Sequence, residues 1–326
     1  MRKINYRLYF FELFFAVLVV FVHASFKSGD FYFDSLGRGT VIFFFILSSY
    51  FYNKTLAKSD YSYKKDTLFR CLRLLIISIV TFAIYCAIFI PINISKFGSY
   101  PTSFINFFNV YKPKTSFLWF TIALILCYLI FPFIYKIKWI HESKYMIIIP
   151  SVILINIYVF RLIAGIYDFG VFSDPHVTRN FIFTGLPCFL LGTYFYDHEK
   201  NIKNIPTLLF IILAILLFIS GSLEAYMHLH LHSKVNEFYL SSILLASICF
   251  IYSIKNPEFI LGERLYSLFG RSGPLFLYLS HRLFMQLIYS YLNVAYVNYI
   301  VIPISIICPL IIALIYNFFR NRKKIG

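Results

Sequence analysis

Leu8 to Phe26 reads LYFFELFFAVLVVFVHASF. About 20 mostly apolar residues cross a bilayer as a helix, so this stretch is long enough to be a span. It is too long for the core of a secretion signal and lacks a convincing small-residue cleavage site, so it is read as a span. It carries two ionisable residues, Glu12 and His23, eleven positions apart. Three helical turns cover about 10.8 residues, so both side chains fall on nearly one face. An ionisable group inside a membrane is costly unless it faces protein or water, which makes both functional candidates. The bland alternative places His23 in interfacial water at one end and Glu12 in the first turns.

The rest of the chain has the same character. Of its 326 residues 60% are hydrophobic and only 13% charged, against roughly 25% charged in soluble domains. Mean hydropathy is +0.75. Apolar stretches at about 8–26, 40–56, 71–94, 116–135, 145–164, 180–196, 205–222, 236–254, 273–293 and 298–319 predict about ten spans. None alternates with a period of two, so a barrel is excluded and helices satisfy the backbone in lipid. The expectation is an all-α polytopic membrane protein with about ten transmembrane helices, as one domain over 1–326. The longest loops, about 15–20 residues, are too short for a fold of their own.

A formal charge of +16 suggests nucleic acid in a soluble protein, but here topology explains it better. With the N-terminus inside, 21 of the 30 cations fall on inside segments and seven outside; Arg161 and Arg282 lie in spans. That bias over short loops predicts both termini in the cytoplasm. The six cysteines are scattered without metal or redox spacing and read as small buried residues.

Four stretches carry candidate chemistry. In KKDTLFRCLR, Lys64 to Arg73, the arginines Arg70 and Arg73 are three apart and share a helix face. They serve either the positive-inside rule or a phosphate cradle, since forked guanidinium donors match phosphate geometry. In GRGTVIFFFILSSYFY, Gly37 to Tyr52, Arg38 precedes an aromatic run broken by Ser48 and Ser49, hydroxyls suited to packing or to a polar cavity. In TRNFIFTGLPCFLLG, Thr178 to Gly192, Arg179 and Asn180 open a segment that Pro187 and two glycines make kinkable. LYLSHRLFMQL, Leu277 to Leu287, puts His281 and Arg282 inside an apolar segment, where a mid-span arginine calls for a buried partner. The alternating His228, His230 and His232 read as a solvated outer loop rather than a metal site.

Taken in order, these stretches resemble the acyltransferase 3 family of integral membrane acyltransferases. Members carry an arginine, ten residues and a histidine on the first span; His23 matches, and Glu12 stands in the arginine's place. FFFILSSYF resembles the family's second span, with Ser49 in the place of a glycine. Arg70 and Arg73 match its arginine pair; Leu118, Trp119 and Phe120 match its middle-span opening. Tyr278, Leu279, Ser280 and His281 match its late motif. The stretch from Arg38 to Phe51, with the arginine-asparagine start at Arg179 and Asn180, is most similar to the membrane domain of vancomycin-resistance serine racemases.

The resemblance implies transfer of an acyl group, usually acetyl, from cytoplasmic acyl-coenzyme A to a hydroxyl of an envelope glycan or lipid-linked acceptor. It implies a bacterial inner-membrane location among membrane lipids, with no bound cofactor, no metal and no nucleic-acid partner. His23 is then expected to be the general base. Arg70 and Arg73 are expected to hold the donor's phosphates. For Glu12 two compensations are open: Arg7 stands in for the missing arginine, or an arginine of another helix pairs with Glu12. A carrier or flippase for an amino acid, glycan or lipid-linked intermediate is the alternative, since intramembrane ionisable groups also mark transport paths.

Overall fold

The computed structural model describes residues 4–24, 31–57, 63–92, 119–135, 137, 143–167, 179–230, 239–291 and 297–322. Those residues are helical or irregular, and no strand occurs among them. The helices are α1 (Tyr6–His23), α2 (Phe31–Leu56), α3 (Tyr63–Ile92), α4 (Trp119–Tyr135), α5 (Ser143–Tyr167), α6 (Leu186–Asp197) and the short α7 (Glu199–Lys203). They continue with α8 (Thr207–His230), α9 (Leu240–Lys255), α10 (Ile260–Phe269), α11 (Gly273–Tyr291) and α12 (Val297–Arg322). A π-helical turn, Phe181–Gly185, leads into α6.

Among the described residues five helices are long and apolar enough to cross a membrane: α1 whole, and Lys65–Tyr85, Lys144–Ala164, Thr207–His228 and Tyr299–Asn321 of α3, α5, α8 and α12. A sixth results if α9 and α10, bent by 95° between them, count as one broken span. The ten expected stretches each carry a helix, but five or six candidate spans among the described residues do not confirm a count of about ten. The shortfall has a physical cause. The α3, α5, α8 and α12 segments are only 22–28% buried and must be apolar all round to face lipid. Among the others, α4 and α6 are short, with 17 and 12 residues. α2 and α11 carry Arg38, Asn53, His281 and Arg282, which neighbouring protein can shelter.

The chain divides into two compact units, 1–43 with 199–227 and 241–326, and 44–198 with 228–240. In the first, Asn5 starts α1 by accepting from the Leu8 amide at 2.8 Å, while its own amide donates to the Ser253 carbonyl at 2.7 Å. Pro257 ends α9, because the residue before a proline is driven from helical geometry. The Arg7 amide then donates to the Pro257 carbonyl at 3.1 Å, and its guanidinium sits 4.5 Å over the Tyr252 ring. The segment expected as a plain inside loop thus contains α10, packed along α1. Gly270, at φ +62°, turns the chain from α10 into α11, a conformation that costs glycine little. Tyr9 locks that turn by donating to the Gly270 carbonyl at 2.8 Å.

In the second unit α6 packs on the later part of α2. Ser49 and Thr193 hydroxyls lie 2.9 Å apart, and the Asn53 amide donates to Thr193 at 3.0 Å and to the Ser49 carbonyl at 2.9 Å. All three side chains are buried, so the bonds satisfy groups that lipid or core could not. Phe45 and Phe120 meet edge to face at 4.7 Å, tying α2 to α4.

The orientation is testable directly. Single cysteines at Lys65, Lys138 and Lys323 should be labelled from the cytoplasmic side, and cysteines at Lys112 and Lys234 from the other; all but Lys65 lie outside the described residues. Labelling of Lys65 and Lys112 from one side would refute the odd number of crossings between them.

Candidate active site

α1 and α11 run side by side within the first unit, and α1 carries polar groups at two levels. The lower level is Glu12. Tyr9, one turn earlier on the same face, touches Tyr266 edge to face at 5.1 Å and bonds the Gly270 carbonyl. Glu12 is half-buried and has no hydrogen bond or ion pair among the described residues; Arg271, beside Gly270, is the cation whose field acts on it. Arg7 is occupied instead with Tyr252, Phe259 and the Glu258 carbonyl. Neither compensation open in the sequence is made by a contact among the described residues: Arg7 is engaged elsewhere, and Arg271 acts on Glu12 only through its field.

The upper level lies about 16 Å further, eleven residues along α1 at about 1.5 Å each. There His23, the last residue of α1, stacks on His281, with ring centroids 5.4 Å apart and planes 18° from parallel. His281 is 1% exposed. Its Nδ1 lies 2.7 Å from the Tyr278 carbonyl oxygen and 3.2 Å from that of Leu277. A carbonyl only accepts, so Nδ1 carries the proton, and in the neutral ring Nε2 keeps a lone pair. That Nε2 is buried and has no hydrogen bond from any described residue. Two imidazoles, one with a fixed tautomer and a bare acceptor nitrogen, can move a proton to or from a bound hydroxyl.

Arg70 and Arg73 belong to the second unit and do not act alike. Arg70 Nε donates to Asp66 at 2.8 Å and its Nη2 to Thr55 at 2.9 Å, with the guanidinium over Tyr52 and Tyr128 at 5.5 and 5.8 Å. It ties α2, α3 and α4 together, and these bonds take up two of its five N–H donors. Arg73, exposed, has no ion pair or hydrogen bond among the described residues. Arg70→Ala should therefore lower the thermal midpoint of the purified protein while Arg73→Ala leaves it in place. Equal midpoints for the two variants would remove the structural role from Arg70.

The remaining candidates are dispersed. Arg38 is half-buried in the first-unit part of α2. Ser48 is half-buried, and its carbonyl faces the Tyr128 hydroxyl at 3.5 Å. Trp119 opens α4, 6.3 Å from the Phe45 ring. Asn180 caps the π-helical turn by accepting from the Ile182 and Phe183 amides, both at 2.9 Å, and Arg179 precedes it. That is a packing role, legible in the asparagine before an apolar run. Arg282 is half-buried and has no ion pair or hydrogen bond among the described residues, so the buried partner expected for it is not found there.

The histidine run is corrected. α8 continues to His230, so His228 and His230 are helical rather than an extended loop, and two positions apart they point to different sides. His228 is buried between the Tyr158 and Tyr239 rings; His232 lies outside the described residues. Sequence reasoning also missed the field of Arg271 at Glu12, and Asp66 as the partner of Arg70. The second was legible as an aspartate four residues before an arginine on one helix.

The chain matches the family described as Acyltransferase domain over residues 6–318, nearly its whole length and the same family its motifs resemble. No curated protein and no solved structure matches it.

Proposed function

Because the chain belongs to this acyltransferase family, we propose that it moves an acyl group, in the first instance acetyl, from acyl-coenzyme A to a hydroxyl of an envelope glycan or lipid-linked acceptor. The stacked pair of His23 and His281 carries the proposal. Acyl transfer from a thioester to a hydroxyl needs one group to take the hydroxyl's proton and another to stabilise the charge that grows on the carbonyl oxygen. Two imidazoles held side by side can divide those tasks. The exposed Arg73 is the cation offered to the donor's phosphates, and Arg73→Ala should weaken coenzyme A binding by about 1–3 kcal/mol, the worth of a charged hydrogen bond. The racemase-like subgroup remains part of the proposal, supported by the Arg38 to Phe51 stretch. So do the bacterial inner membrane and cytoplasmic termini, supported by the loop charges.

The test is acyl transfer by purified protein in liposomes. With acetyl-labelled coenzyme A and an envelope glycan extract, label should enter an ester and free thiol should appear in equal amount. Transmembrane movement of a glycan or lipid-linked intermediate, without thiol release from any acyl donor, would replace this proposal with the carrier.

A further inference from the structure

We propose that His281 is the catalytic base of the reaction, and that His23 serves the donor side, where it stabilises the thioester carbonyl. The inference rests on the acyltransferase proposal and goes beyond it by assigning the proton. From the sequence alone His23 held that role, but the geometry favours its partner.

The argument is one of hydrogen-bond capacity. In a neutral imidazole one nitrogen donates and the other accepts. The Tyr278 and Leu277 carbonyls claim the donor of His281, at 2.7 and 3.2 Å, and both sit on the same helix one turn back. The tautomer is thus set by α11 itself. What remains is the Nε2 lone pair, in a side chain 1% exposed and with no hydrogen bond from the described residues. A buried acceptor left unmatched costs about 1–3 kcal/mol, so such atoms are rare and call for an explanation. A substrate hydroxyl supplies the missing donor and, in the same contact, presents the proton to be removed. The Nε2 lone pair lies in the His281 ring plane, and the centroid of the His23 ring is 5.4 Å from that of His281. The hydroxyl therefore approaches beside His23, where the acyl carbon has to lie.

The step balances without a further reactant. The hydroxyl proton passes to His281 Nε2 as the oxygen attacks the thioester carbon. The carbon–sulfur bond breaks with its electron pair on sulfur, and the thiolate recovers the proton from the His281 imidazolium. An O-acyl ester and free coenzyme A leave, and both imidazoles return neutral.

The experiment compares His281→Asn with His281→Gln by thiol release from acetyl-coenzyme A, using ethanol, 2-chloroethanol and 2,2,2-trifluoroethanol as acceptors. Asparagine can place an amide N–H where Nδ1 stood and keep the anchor on α11, but it cannot accept a proton. A merely structural histidine is therefore replaced by asparagine with turnover intact, whereas a base is not. Both variants should lose about 10²–10⁴ in turnover, the usual worth of general-base assistance, with the asparagine variant's thermal midpoint retained. The loss should narrow as the alcohol becomes more acidic, since less proton removal is then needed. Near-normal turnover in His281→Asn, or a loss that is the same for all three alcohols, overturns the assignment. Absence of thiol release in the wild type with every donor and acceptor overturns the acyltransferase proposal itself.

Discussion

Replacing His23 by alanine lowers acyl transfer by about 10²–10³, the cost of removing one hydrogen-bond donor from a developing oxyanion. The loss falls on turnover, because the interaction strengthens only as charge moves onto the carbonyl oxygen. The Michaelis constant for acyl-coenzyme A should change little, since the proposal assigns the donor's phosphates to Arg73. His23→Gln recovers part of the loss, for a glutamine amide still donates a hydrogen bond. The helix survives either change, because His23 is the last residue of α1, with Ala24 as its C-cap. Steady-state kinetics on the purified variants decide the matter. An unchanged turnover in His23→Ala would remove His23 from the reacting centre.

The second large effect is structural. Gly192→Leu should destabilise the second unit severely. A β-carbon at Gly192 would press on the Ile46 carbonyl and lie 2.7 Å from Ser49 Cβ, so α6 and α2 would have to separate. Inserting bulk into a packed core costs about 1–3 kcal/mol and occasionally more. Here the separation would also part Ser49 and Asn53 from Thr193, leaving buried polar groups unmatched at about 1–3 kcal/mol each. The thermal midpoint in detergent should fall well below that of Leu216→Ala, a change at an exposed position on α8. Coincident midpoints would mean that the helices part at little cost.

Local rules reached some of this arrangement and not the rest. The length and apolarity of 8–26, and the face shared by Glu12 and His23, follow from helical geometry alone, and α1 bears them out. Asn180 as a cap and Asp66 with Arg70 are contacts within four residues, hence visible in spacing. The break after α9 is announced by Pro257, but α10 is too short and too polar for a span-length window to register. The burial of His228 is not legible, because the apolar run of α8 continues into HLHLH, where alternating histidines read as a polar loop. The stacking of His23 on His281, and the field of Arg271 on Glu12, join residues far apart in the chain. No local period encodes such a pairing; it arises from which helices pack side by side. Arg70 and Arg73 show the converse, for a shared helix face did not give them a shared task, because Asp66, Thr55 and two tyrosine rings engage only the first.

The central claim is that His23 and His281 form one reacting centre, and a double-mutant cycle on acyl transfer tests it most directly. His23→Ala, His281→Ala and the double variant are compared with the wild type by thiol release from acetyl-coenzyme A. Groups that act as a unit are strongly non-additive, so the double variant should lose about as much as the worse single variant. Losses that multiply would place the two histidines in independent roles, and a single variant with wild-type turnover would contradict the shared centre outright.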